Sequence, residues 1–303
     1  MTTKLTGLIA APFTPLLTNG EMNLPLVEKQ ADHLLRTGVS GVFVAGTTGE
    51  GASLTLDERM ALAKRWVDVA GRDLIVLIHV GTNCGKDSQA LAAHAQKIGV
   101  AGIGALSPSF FKPIDIPALL DFLAPVAASA RALPFYYYQI PSFTGVSFPA
   151  SQVLAQGAVR IPNLAGVKFT YEDFADFAAC LALNGGAFDC LFGRDEKLLD
   201  GLRAGSHGAI GSTYNLAAGL SRRIIDAFDR GDLAEAARLQ AISARFIDIV
   251  YGKYTGLPTA KVLSKLIGID LGPVRPPLKD LSAEQEKAVI GEVEAIGFPD
   301  FAG

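Results

Sequence analysis

Gly7-Leu8-Ile9-Ala10-Ala11-Pro12-Phe13-Thr14-Pro15 opens the chain with an apolar run, residues 7–12, that ends among prolines. A run of that length and composition reads as a buried strand. The residues just beyond it decide between two ways of alternating strands with helices. An open doubly wound sheet carries a glycine-rich turn after its first strand, where a pyrophosphate is cradled. Pro12-Phe13-Thr14-Pro15 cannot cradle one. Further apolar runs stand at 41–46, 74–80, 102–107, 134–138, 164–168, 189–193 and 208–212. Helical patterns separate them, near 24–37, 56–70, 86–98, 115–130, 148–157, 172–183 and 195–204. Leu26, Val27, Gln30, His33 and Leu34 recur with the spacing of one helix face. Thr55 is followed three residues later by Glu58, a capping-box pattern at the start of the 56–70 helix. Eight strands joined by helices predict an α/β fold, the (β/α)8 TIM barrel.

After residue 212 the strand signal stops. Segments 215–230, 233–252, 258–267 and 282–296 read as helix, and Gly272-Pro273-Val274-Arg275-Pro276-Pro277 parts the last two. The expectation is a barrel over residues 1–214 and a C-terminal helical extension over 215–303 packed on it. No Pro-, Gly- or Ser-rich linker and no internal repeat divides the chain.

Composition narrows the class. Of 303 residues, 50% are hydrophobic and 19% charged, which provides material for a large core. A net charge of −3 with no basic run gives no electrostatic footprint for nucleic acid. Cys84, Cys180 and Cys190 form no CxxC pair, and His33, His79, His94 and His207 lack ligand spacing, so neither a disulfide framework nor a metal site is expected. No apolar stretch is long enough to cross a membrane, and the N-terminus shows no signal segment. The expected setting is cytoplasmic.

In a barrel of this kind the chemistry gathers at the C-terminal ends of the strands. There the chain places Gly46-Thr47-Thr48-Gly49-Glu50-Gly51, Tyr136-Tyr137-Tyr138-Gln139-Ile140-Pro141, Lys168 with Thr170 two residues on, Gly193-Arg194-Asp195-Glu196, and Gly211-Ser212-Thr213-Tyr214-Asn215. Lys168 is the odd member, a lysine closing the apolar run Asn163-Leu164-Ala165-Gly166-Val167. Either it snorkels to solvent, or its buried amine is there to react, since desolvation favours an uncharged amine that attacks ketones. Strand parity puts Leu164, Gly166, Lys168 and Thr170 on one side and Ala165, Val167 and Phe169 on the other, with Gly166 leaving room for the lysine stem. Tyr136 and Tyr138 share a face opposite Tyr137, and composition does not say which tyrosine acts. The Thr47-Thr48 turn offers hydroxyls and backbone N–H groups to a small carboxylate, or is a plain strand–helix turn. Asp195 and Glu196 either cap the next helix or bind hydroxyls of a polar substrate. Ser212 fits a hydroxyl-binding role too, or is a turn residue.

Together these motifs resemble the dihydrodipicolinate synthase/N-acetylneuraminate lyase superfamily of class I aldolases. The matching features are GTTGEG at 46–51, YxIP at 138–141, GVKFT at 166–170, GRDE at 193–196 and GSTYN at 211–215, in the family's order, within a similarity running from about residue 5 to 297. The resemblance implies a (β/α)8 barrel with a helical extension, usually a homotetramer, with no metal or organic cofactor. It implies that Lys168 forms the Schiff base, Tyr138 carries protons, and Thr47 and Thr48 bind the pyruvate carboxylate. Two positions depart from the dihydrodipicolinate synthases: Phe143 stands where they carry a carboxylate-binding arginine, and Phe110 where they lend a tyrosine to a neighbouring subunit. A phenyl ring neither pairs with a carboxylate nor relays a proton. The remaining resemblance is to the N-acetylneuraminate lyases, and it implies that Thr170, Gly193, Asp195, Glu196 and Ser212 bind the polyhydroxyl chain of a sugar acid. The rivals are a pyruvate aldolase for another 2-keto-3-deoxy sugar acid, a dihydrodipicolinate synthase-like enzyme, and a silent sugar-acid-binding protein.

Overall fold

Among residues 4–302, which the computed structural model describes, eight parallel strands close into a barrel in chain order. They are β1 (Gly7–Ala10), β2 (Gly41–Val44), β3 (Ile75–His79), β4 (Gly102–Leu106), β5 (Phe135–Gln139), β6 (Leu164–Phe169), β7 (Asp189–Phe192) and β8 (Gly208–Gly211). The helices between them are α1 (Leu26–Arg36), α2 (Leu56–Ala70), α3 (Gly85–Lys97), α4 (Ile116–Ala128), a short α5 (Pro141–Thr144), α6 (Ala150–Arg160), α7 (Phe174–Ala182) and α8 (Leu198–Arg203). After β8 come α9 (Tyr214–Asp229), α10 (Leu233–Ile247), α11 (Leu257–Ser264) and α12 (Ala283–Ala295). Each strand lies within two residues of its expected span. The expected capping box of α2 is formed, with Thr55 Oγ1 accepting from Glu58 N–H and Glu58 accepting from Thr55 N–H.

The alternation of side chains builds two cores. Inside the barrel, Ile9, Phe43, Leu77, Tyr136, Leu191 and Ile210 form the packed centre. Outside it, Val42, Val44, Val76, Ile78, Phe135, Tyr137, Val167 and Phe169 face helix residues such as Leu62, Trp66, Leu119 and Phe177. Each such large side chain removed from water stabilises the fold by roughly 1.5–3 kcal/mol. Gly104 of β4 lies close under the Phe43 ring, and a Cβ there would press on it at 3.0 Å.

Strict period-two parity fails at the foot of β6. The register between β5 and β6 steps from Phe135↔Leu164 to Tyr136↔Gly166, so one extra residue is taken up there. Ala165 consequently joins the inner core, while Leu164 packs with the outer one. Above the irregularity the expected parity holds, and Val167 and Phe169 face outward. Gly166 also has a different task from the one expected. A Cβ there would stand 1.7 Å from the Asp189 carbonyl oxygen, so the glycine permits close approach of β7 rather than making room for the lysine stem.

Two expected helices change type near the strand ends. Residues 195–197 form a 3-10 turn before α8, and α10 gives way at Ile247 to a π-helical turn, Asp248–Lys253. α9 packs on β1 and α8, and α10 on α9 and the 195–197 turn. Phe246, Phe298 and Phe301 stack to hold the last residues against α10. No helix among the described residues is long and apolar enough to cross a membrane.

Candidate active site

A cavity of about 540 Å³ opens at the C-terminal ends of the strands. Thr47, Thr48, Tyr138, Lys168, Thr170, Gly193, Asp195, Glu196 and Ser212 all line it, so the structure brings the whole expected set together.

Lys168 sits on β6 directly across from Tyr138 of β5. Its residue is 5% exposed. Among the described residues it forms no ion pair. The ammonium position instead faces aromatic rings, 4.2 Å from the Tyr138 centroid and 4.7 Å from that of Phe43. Phe43, His79 and Tyr138 meet edge to face with centroids 5.6–5.9 Å apart, forming a wall on one side of the amine. Aromatic faces hold an amine by cation–π attraction without forming an ion pair with it.

The rest of that wall explains which tyrosine reaches the site. Tyr136, lower in the barrel, donates its hydroxyl to Asp189 at 3.0 Å, and burial beside that carboxylate holds its phenol above the usual value. Tyr137 points into the outer core. Tyr138 alone of the three lines the cavity, with its hydroxyl 3.2 Å from Thr47 Oγ1.

The Thr47–Glu50 turn is closed by the Glu50 amide donating to the Thr47 carbonyl at 3.1 Å. Ala45 and Glu50 flank it in left-handed backbone conformations, φ 56° and 52°. Such conformations persist in non-glycine residues where the surroundings fix them. At Ala45, His79 Nδ1 lies 3.1 Å from the carbonyl oxygen. Burial, then the neighbouring Arg59 charge, hold His79 well below its usual pKa, so it stays neutral. Its Nε2 has no partner among the described residues.

Across the cavity from that turn the groups are hydroxyls and carboxylates. Thr170 Oγ1 is buried and makes no hydrogen bond within the described residues. A Cβ at residue 193 would stand 2.2 Å from that oxygen, which is why a glycine is needed there. Asp195 accepts from Thr213 N–H at 2.8 Å and Thr213 O–H at 2.6 Å. Its carboxyl occupies the space that a Cβ at Gly211 would fill. Burial raises its pKa to about 6, against the pull of the Thr213 hydrogen bonds. Glu196 pairs with Arg194, whose guanidinium also holds Glu172 at 2.6 Å. Among the described residues no group of three or more His, Cys, Asp or Glu is placed to hold a metal ion.

Several lining residues escape a reading of strand ends. Ile247, Tyr251 and Leu257 come from the helices beyond β8. Tyr251 stands on the π-helical turn. Among the two departures noted in the sequence, Phe143 lines the cavity, while Phe110 is 78% exposed.

A model of the dihydrodipicolinate synthetase family matches residues 4–296. The chain belongs to that family. It is 42% identical to the N-acetylneuraminate lyase of Rattus norvegicus over 99% of this chain and 95% of the relative. Among solved structures it is similar to the N-acetylneuraminate lyase of Proteus mirabilis, with a TM-score of 0.95 at 38% identity, covering 98% of this chain and all of that one. The Aliivibrio salmonicida N-acetylneuraminate lyase (sialic acid aldolase) gives the same TM-score at 37% identity, covering 98% of each chain.

Proposed function

We propose that this protein is a class I aldolase that cleaves N-acetylneuraminate to N-acetylmannosamine and pyruvate, reversibly. The observation that carries the reading is the buried Lys168 amine, without an ion pair among the described residues, beside the Tyr138–Thr47 hydroxyl pair and facing a wall of hydroxyls and carboxylates across one cavity. Lys168 Nζ attacks the C2 ketone of the open-chain sugar acid, and water leaves as the iminium forms. The C3–C4 bond then breaks, its electron pair flowing into the iminium as the enamine forms. Tyr138 takes the proton of the C4 hydroxyl, and the aldehyde N-acetylmannosamine departs. The proton returns to C3, and water hydrolyses the imine to free pyruvate and the amine. Thr47 and Thr48 hold the carboxylate. Thr170, Gly193, Asp195, Glu196 and Ser212 bind the polyol. No cofactor enters any step.

We extend the proposal to a homotetramer working in the cytoplasm, with residues 215–303 as an extension that brings Tyr251 and Leu257 to a barrel of residues 1–214. Free Cys84, Cys180 and Cys190 suit a reducing compartment.

Borohydride reduction with pyruvate, followed by peptide mass spectrometry, is expected to place a covalent adduct on Lys168; an unmodified Lys168 would sink the mechanism. The substrate is tested separately by pyruvate release from a panel of 2-keto-3-deoxy acids. N-acetylneuraminate should be cleaved best, and release from another acid only would overturn that choice.

A further inference from the structure

Behind the Thr47–Glu50 turn lies a pair of buried charges that the mechanism does not use. Glu50 Oε1 stands 2.7 Å from Lys261 Nζ, with side-chain exposures of 1% and 2%. Glu50 Oε2 accepts from the Arg275 backbone N–H at 2.8 Å. Lys261 Nζ also donates to the Pro273 carbonyl at 2.7 Å. Burial pulls the Lys261 ammonium below the usual lysine value, and Glu50 is the main group opposing that pull.

The pair therefore ties three segments together: the turn after β2, helix α11 and the stretch 273–275. Lys261 lies one helical turn after Leu257, which lines the cavity. Glu50 is the residue that closes the Thr47 turn, and its backbone is left-handed. Gly51, next to it, has its α-carbon so close to the Ala45 carbonyl that a Cβ would stand 2.0 Å from the oxygen. The turn is thus wound tightly and pinned from behind at one carboxylate. Apolar side chains of the same volume would commonly hold such a position as well or better, so a buried ion pair is poor evidence for stability and better evidence for a fixed geometry.

We infer that Glu50 and Lys261 are positioning residues, and that their pairing sets the Thr47–Glu50 turn in the shape that receives the keto-acid carboxylate. The inference rests on the proposed Schiff-base reading, which gives that turn its ligand. Its consequence is a link between the C-terminal helices and pyruvate affinity.

The test uses full-length protein, wild type and three variants: K261M, E50Q and E50L/K261M. For each, the pyruvate concentration that half-saturates borohydride trapping is measured, together with kcat and the melting temperature. In K261M the half-saturating concentration should rise about tenfold or more, with kcat changed about threefold or less, because ground-state binding is what is lost. E50Q keeps the shape and one acceptor oxygen and should show the same split at smaller amplitude. E50L/K261M removes both charges, and should regain most of the melting temperature lost in K261M while keeping the weakened pyruvate binding. A structural role alone predicts the opposite: melting temperature falls in the single variants, and pyruvate binding stays at the wild-type value in every variant that folds. That result overturns the inference and leaves the aldolase reading intact. Wild-type protein that pyruvate and borohydride fail to modify at Lys168 would overturn both.

Discussion

Lys168 is buried against the faces of Tyr138 and Phe43 and forms no ion pair among the described residues. The hydroxyl opposite belongs to Tyr138, whose partner Thr47 keeps it at the cavity wall. Replacing Tyr138 by Phe should lower kcat by about 10²–10⁴-fold, the usual worth of a positioned proton carrier, while adduct formation between Lys168 and pyruvate continues. Steady-state rates and borohydride trapping together check this, and a Tyr138→Phe enzyme of near wild-type kcat would remove the tyrosine from the mechanism. Asp195 makes a second prediction. Its carboxyl moves from 3.8 to about 6 on folding, so the native state binds the proton more tightly between those values. Native stability from this residue therefore falls as pH rises through that window, by about 3 kcal/mol, and is level above it. Asp195→Asn should erase that slope, seen as a difference between wild-type and variant unfolding free energies that changes from pH 4 to pH 7 and then stops changing. Both residues were legible in the sequence because they lie at a strand end or just beyond one, where a barrel puts its chemistry. Tyr251, Glu50 and Lys261 were not, since their part depends on which segments fold back over the strand ends, and no spacing encodes that.

At the scale of elements, the strands were legible because a strand of a parallel sheet is covered on both faces and reads as an unbroken apolar run. The irregularity at Leu164–Ala165 was not, because nothing in an apolar run marks where period two slips by one. The capping box of α2 was legible from Thr55 and Glu58, yet the sequence hid a second use of Glu58. Its carboxylate also grips the Arg275 guanidinium, which donates as well to the Ser53 and Gly20 carbonyls. That grip, first among its causes, draws the Glu58 pKa from 4.5 down to about 2. A depressed carboxyl stabilises the fold above its unfolded value, and that contribution is lost as pH falls through the folded one. The pair is half-buried and screened by solvent, so Glu58→Gln should cost about 1 kcal/mol at pH 7 and nothing near pH 2. Urea unfolding at the two pH values checks this, and an equal cost at both would trace the effect to the helix cap instead.

For the whole molecule, length and composition were enough to expect a large core, but they leave the surface unexplained. Phe110, Phe111 and Ile114 are 78%, 85% and 89% exposed and lie together on the loop after β4. The two rings meet edge to face at 5.0 Å, and Asn83 Oδ1 accepts from the Ser109 and Phe110 amides, so the loop presents them in a fixed posture. Isolated exposed apolar residues are ordinary, whereas three large ones exposed on one short loop are the mark of a covered face. Covering each phenyl ring would stabilise an assembly by roughly 1.5–3 kcal/mol, enough for two charges placed there to disrupt it. The proposed homotetramer predicts a mass of four chains by light scattering, and F110D/F111D should yield a smaller species at the same concentration. Because neither ring lines the cavity, the smaller species should still take pyruvate onto Lys168 under borohydride. A wild-type protein with the mass of one chain would end the tetramer proposal, and a doubly substituted protein of unchanged mass would move the interface elsewhere on the surface.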